Sequence, residues 1–223
     1  MNPPVIALVG SLAFGAIGVG RSWLQWHRYG KLGIHLFESN NAGQIFRDAI
    51  AIVVPALMPC QAVIAILWPD LLAPIEIVPA SSNETVAVIG TGLLLFGSGT
   101  LVLGNLALGP AWRIGIEEGA RPPLVTSGIY GVVRNPIFVS SLIVIAGYAL
   151  LLPTWLSLVF FGLFALSIVQ QTAAEELHLL RTYGDKYYDY ANRVGRFAPG
   201  MGRLTNRNPK SVERGDNAKR RST

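Results

Sequence analysis

Five apolar stretches govern what this chain can fold into. They run from Pro4 to Leu24, Ala49 to Trp68, Thr85 to Leu108, Ile137 to Leu152 and Trp155 to Thr172. Each approaches the roughly 20 residues that a helix needs to cross a bilayer. Backbone amides in hydrocarbon have no water to bond, so every stretch must satisfy its own, which means α-helix. Composition agrees: 51% of the 223 residues are hydrophobic and only 14% are charged, against about 25% charged in a soluble domain. The expected fold class is therefore all-α, a polytopic membrane protein with about five transmembrane helices. Only Pro153-Thr154 separates the fourth and fifth stretches, so these form a tight helical hairpin. The first stretch has no basic segment ahead of it and no clear cleavage site, and is taken as a helix and not a signal peptide.

The cations sort the connections by side. The Arg21 to Arg47 connection holds four Lys or Arg, the Pro69 to Glu84 connection none, the Gly109 to Pro136 connection three, and the chain from Ala173 onward eleven. All 18 fall on one side of a five-span arrangement, which predicts the N-terminus outside and the C-terminus in the cytoplasm. The net charge of +5 is thus an asymmetry of sides, and no nucleic-acid partner is expected. Residues Gly200 to Thr223 are polar and basic, and are expected to be disordered. Their basic residues either rest on anionic headgroups or serve as a solvated tail. The chain divides into helices 1–3 (residues 1–108), a region around the hairpin (109–199) and the tail (200–223).

No Cys/His cluster has the spacing of a metal site. His27, His35 and His178 are scattered, and Cys60 lies inside an apolar run where it acts as a small hydrophobe. The glycines of the third stretch, Gly90, Gly92, Gly97, Gly99 and Gly104, suit close helix packing in lipid.

Chemistry concentrates at the two ends of the hairpin. Pro136 begins the fourth helix where a missing N–H costs nothing, which sets Arg134 and Asn135 at its N-terminus beside free backbone donors. The fifth helix runs on through Gln171, Glu175, Glu176 and Leu179, with Gln171 and Glu175 on one face. Because the hairpin is tight, Arg134 and the two glutamates become neighbours. Two readings fit: a salt bridge that fixes the hairpin, or a site for a ligand with both a positive and a negative group.

Leu124-Val125-Thr126-Ser127-Gly128-Ile129-Tyr130 followed by Arg134-Asn135-Pro136-Ile137-Phe138 resembles the first motif of the isoprenylcysteine carboxyl methyltransferase family and the related phospholipid methyltransferases. Glu175, Glu176, Leu179, Tyr183, Gly184, Tyr187, Tyr190, Val194 and Arg196 resemble its second motif position by position. The resemblance covers Trp112 to Pro199. It implies an integral membrane methyltransferase that uses S-adenosyl-L-methionine on a lipophilic, membrane-resident acceptor, either a carboxylate or an amine. Carried over by position, Leu124, Val125, Tyr130, Asn135, Pro136, Ile137, Phe138 and Glu175 would hold the cofactor. Arg134, Glu175 and Glu176 would serve catalysis, and Gln171 would meet the acceptor. An amine must lose a proton, for which Glu175 or Glu176 is the nearby base; a carboxylate needs none. Three positions depart from the pattern. Asn135 replaces a histidine and cannot titrate, Phe138 replaces a tyrosine and lacks its hydroxyl, and Gln171 stands where prenylcysteine enzymes carry an arginine. The implied location is a multi-pass protein of the bacterial plasma membrane with its site facing the cytoplasm, and neither a metal nor a nucleic acid as partner. An NADPH-dependent membrane reductase and a non-catalytic scaffold of the same fold are the alternatives.

Overall fold

The computed structural model describes residues 2–38, 41–77, 83–115 and 123–205; most of the tail expected to be disordered lies outside them. Helix α1 (Pro3–Tyr29) is capped by the Asn2 side chain and ends at Gly30, whose φ of 71° suits glycine. A two-residue strand β1 (Ile34–His35) leads to α2 (Ala42–Leu67), whose Asn41 cap accepts from the Gly43 and Gln44 amides. A short turn of helix α3 (Pro69–Leu72) follows, then α4 (Glu84–Ala107), a strand β2 (Ile114–Gly115) and a 3-10 turn at Gly128–Gly131. The hairpin is α5 (Pro136–Leu151) and α6 (Trp155–Tyr183), and α7 (Asp185–Arg193) closes the described fold. Gly184 joins α6 to α7 at φ 54°, ψ −127°, a conformation that side chains with a Cβ avoid.

The protein is thus all-α and polytopic. Among the described residues four helices (α1, α2, α4 and α6) are long and apolar enough to span a bilayer. The fourth sequence stretch is shorter: α5 has 16 residues, about 24 Å of helix against a hydrocarbon core near 30 Å. It is also the most enclosed of the five. Val144, Ile145, Tyr148 and Leu151 of α5 have no measurable exposure and form the centre of the core with Met58, Leu94 and Phe164. A helix surrounded by protein needs to match the bilayer less closely than one bathed in lipid.

Helices α4 and α5 pack most closely. Along α4 the buried residues Ala87, Gly90, Leu94, Gly97, Leu101 and Gly104 alternate steps of three and four, the seam of a shallow-angle helix pair. A methyl group at Gly97 would stand 2.9 Å from the Val144 amide nitrogen, and one at Gly147 would stand 2.7 Å from the Gly90 carbonyl oxygen. Gly92 and Gly99 face the other way and meet nothing. Gly97→Leu should therefore lower stability in detergent by about 1–3 kcal/mol or more. Gly99→Leu should stay within about 0.5 kcal/mol of the parent. Equal thermal shifts for the two would contradict this packing.

At one end of the bundle, the Ile77 amide donates to the Pro153 carbonyl (2.8 Å), joining the α3–α4 connection to the hairpin tip. A buried polar cluster lies close by. Tyr148 Oη donates to the Met58 carbonyl (2.6 Å), and Gln61 Nε2 donates to Thr154 Oγ1 (2.7 Å) and Ser157 Oγ (3.0 Å), which ties α2, α5 and α6 together. At the opposite end β1 pairs in parallel with β2, Ile34 against Ile114. Arg21 anchors this end: its guanidinium donates to the Asn105 (3.1 Å) and Gly109 (2.6 Å) carbonyls and to Gln25 (2.9 Å), and stacks 4.7 Å from Trp112. An arginine among the last carbonyls of α4 meets the negative end of that helix, so its charge needs no carboxylate.

Candidate active site

Arg134 organises the end of the bundle that carries β1 and β2. Its side chain is 1% exposed, and all five of its N–H donors find protein acceptors. Nε (3.1 Å) and Nη2 (2.6 Å) donate to Glu176 Oε1. Nη1 donates to the Ala191 (2.8 Å) and Val194 (2.5 Å) carbonyls, and Nη2 also reaches the Gly202 carbonyl (3.0 Å). The start of α5, the end of α6, α7 and the chain beyond it are thereby held at one point. Glu176 is saturated as well, because Arg196 donates Nε to Oε1 (3.1 Å) and Nη2 to Oε2. Arg134 and Glu176, 42 residues apart in sequence, thus bring the two motifs together in an ion-pair network, and the salt-bridge reading describes this pair. The donors of Arg134 and the oxygens of Glu176 are thus engaged within the protein, at the edge of a cavity.

Helix α7 covers this junction. Tyr187, Tyr190 and Ala191 are buried against Leu124, Leu179, Leu180 and Tyr183, and the two tyrosine rings meet edge to face at 5.9 Å. Tyr190 Oη donates to the Tyr130 carbonyl (2.6 Å), fixing the 3-10 turn, while Tyr130 Oη points to the Gly104 carbonyl (3.4 Å). Burial pushes the Tyr190 hydroxyl up to about 12 against the opposing effect of Arg134, and pushes Tyr130 and Tyr187 up as well. These phenols are neutral donors at physiological pH and not bases.

Beside the junction lies a cavity of about 770 Å³, within the roughly 300–1,000 Å³ of small-molecule sites. Of the residues singled out in the sequence, Leu124, Val125, Tyr130, Arg134, Asn135, Ile137, Phe138, Gln171, Glu175 and Glu176 all line it. Pro136 is fully buried behind the wall and does not line it. The Asn135 amide donates to the Arg196 carbonyl (3.1 Å) and leaves the first turn of α5 without a side-chain cap. Glu175 is half-buried on the wall. Among the described residues it takes one hydrogen bond, from Gln171 Nε2 (2.9 Å), so most of its lone pairs remain for a ligand there. Such a carboxylate beside tyrosines and short apolar side chains fits a cationic nucleoside ligand, since it can meet an ammonium, a sulfonium or ribose hydroxyls.

Sequence spacing missed the α2 side of the cavity. Arg47 and Asp48 line it, and Arg47 Nε donates to Gln171 Oε1 (2.9 Å). Arg113 and Trp112, just before β2, line it too. No local pattern marks Arg47 and Asp48; Arg47 reaches Gln171 through helix packing across 124 positions. Among the described residues no group of His, Cys, Asp and Glu is arranged to hold a metal ion.

A search of curated proteins finds no match. Residues 85–186 match the family model of phospholipid methyltransferases. The match starts at the head of α4 and stops at the start of α7, so it takes in Arg134, Glu175 and Glu176 but neither Arg47 nor Arg196. This segment, which carries the hairpin and most of the cavity wall, is similar to the phospholipid methyltransferases, a family of membrane methyltransferases.

Proposed function

We propose that the protein is an S-adenosyl-L-methionine-dependent methyltransferase acting on a lipophilic acceptor drawn from the bilayer. One observation carries this reading: the segment that matches the family places a half-buried, nearly unengaged carboxylate, Glu175, on the wall of a ligand-sized cavity. When bound, the cofactor supplies an electrophilic methyl group on a sulfonium.

The protein's own residues bind, orient and exclude water. Glu175 meets the positive charge of the cofactor, Leu124, Val125, Ile137 and Phe138 give it an apolar bed, and Asn135 holds the segment at Arg196 in place. Arg134 and Glu176 keep these walls in register, so orientation is set before the ligand arrives. A methyl transfer gains chiefly from alignment and a dry site, which suits a cavity with few ionisable groups. With Glu176 locked between two arginines, Glu175 alone of the pair is left to accept a proton from an amine acceptor. The cation distribution supports a cytoplasmic face for this end of the bundle, with the N-terminus outside.

Incubation of membranes containing the protein with S-adenosylmethionine labelled in its methyl group provides the test. Label should appear in an extractable lipid, and an inactive Glu175→Gln variant should give none. Absence of labelled lipid despite proven cofactor binding would contradict a lipophilic acceptor.

A further inference from the structure

Half-buried Arg47 differs from the two buried arginines among the described residues, Arg21 and Arg134. Arg134 and Arg21 spend their donors on the protein, whereas Arg47 holds itself by only two contacts, Nε to Gln171 Oε1 (2.9 Å) and Nη2 to Gln44 Oε1 (2.5 Å). Its Nη1 has no hydrogen-bond partner among the described residues, and no carboxylate there lies within ion-pair distance. Two amides thus aim a guanidinium and leave its outer edge open. Arg113 also lines the cavity, yet no hydrogen bond among the described residues fixes its guanidinium. Neighbouring Asp48 is already occupied, by Gln44 Nε2 (2.9 Å) and the Phe37 amide (2.9 Å).

The surroundings of Arg47 are graded. Towards the middle of the bundle, the cavity wall consists of Phe14 and Ile17 of α1, Ala51 and Pro55 of α2, and Phe164 and Ile168 of α6. In the other direction stand Gln171 and Glu175. Gln171 separates the cation from the anion and can be oriented one way only: arginine only donates and carboxylate only accepts. The cavity therefore offers an open cation at the head of an apolar branch, one amide away from the carboxylate assigned to the cofactor.

We propose that Arg47 is the specificity-determining residue for the acceptor, which is an anionic amphiphile with a carboxylate or phosphate head at Arg47 and an apolar chain along α1, α2 and α6. Its role as an acceptor site rests on the methyltransferase reading; its existence as a binding site does not. The fork of Arg47 matches the oxygens of either head, and the low-dielectric wall strengthens the contact. Gln171 is a positioning residue that holds the guanidinium from across the cavity.

The full-length protein in nanodiscs of zwitterionic lipid, with tritiated palmitate as the probe, tests this. Palmitate or hexadecyl phosphate should displace the probe at least tenfold better than palmitate methyl ester. The better of the two anions identifies the head. Arg47→Met should weaken palmitate binding roughly ten- to hundredfold, the loss of a charge-assisted hydrogen bond, while Arg47→Lys keeps part of it. Neither should change the affinity for S-adenosylmethionine measured on the same samples. Ester and acids competing equally in the parent protein would overturn the inference with no variant needed. A fall in cofactor affinity in place of palmitate affinity would also overturn it. Palmitate binding that depends on Arg47 without any cofactor binding would leave the anion site standing and refute the methyltransferase reading. Cofactor binding without anion preference would do the reverse.

Discussion

Replacing Arg134 with methionine should destabilise the protein by about 3–5 kcal/mol, the range seen when one partner of a buried ion pair is removed. Methionine preserves most of the volume, so packing contributes little to this loss. What disappears is the partner of three backbone carbonyls (Ala191, Val194 and Gly202) and one of the two cations on Glu176. Each carbonyl left unpaired in a buried setting costs about 1–3 kcal/mol. Arg134→Lys keeps the charge but not the planar fork, and a single ammonium cannot reach acceptors spread over three segments. It should therefore recover less than half of the loss. Thermal unfolding in detergent reads both effects; a Lys variant as stable as the parent would show that charge alone, and not the five-donor geometry, holds the junction.

The two adjacent glutamates should separate cleanly. Glu176→Gln leaves Arg134 and Arg196 without their shared anion and should cost stability on the scale just given. Glu175→Gln should leave stability within about 1 kcal/mol, because the carboxylate it alters takes one hydrogen bond, from Gln171. Its effect should fall on cofactor affinity instead. Loss of a carboxylate that lies open to the ligand removes a charge-assisted contact worth about 1.5–3 kcal/mol, a ten- to more than hundredfold weaker binding. Two neighbouring residues of the same type, one felt in the unfolding transition and the other in the binding isotherm, form a pattern that a merely structural site would not give. The cause lies in helix geometry: consecutive residues on α6 point about 100° apart, one towards the arginine junction and the other towards the cavity.

The spans were legible in the sequence because lipid demands unbroken apolar helices, and so was the meeting of Arg134 with the glutamates, because Pro153-Thr154 leaves the hairpin no slack. Which glutamate would do which work was not legible. Spacing along α6 puts both near Arg134, and only α7 and the chain beyond it, which bring Arg196 and three carbonyls to the same point, engage Glu176 and leave Glu175 to the cavity. The 16-residue α5 was read as a span like the others, since an apolar stretch looks alike whether lipid or protein surrounds it. Gly97 and Gly99 looked equivalent for the same reason, yet one touches α5 and the other nothing. Arg47 was visible only as a charge on a connection. Its approach to Gln171 depends on how α2 lies against α6, a relation between positions 124 residues apart that no local pattern encodes.

Titration calorimetry of the purified protein with S-adenosylmethionine, and separately with NADPH, tests the central claim most directly. S-adenosylmethionine should bind the parent protein at one site, with affinity lost in Glu175→Gln and retained in Arg47→Met, and NADPH should give no heat. Binding of NADPH in place of S-adenosylmethionine, or cofactor affinity unchanged by loss of the Glu175 carboxylate, would contradict it.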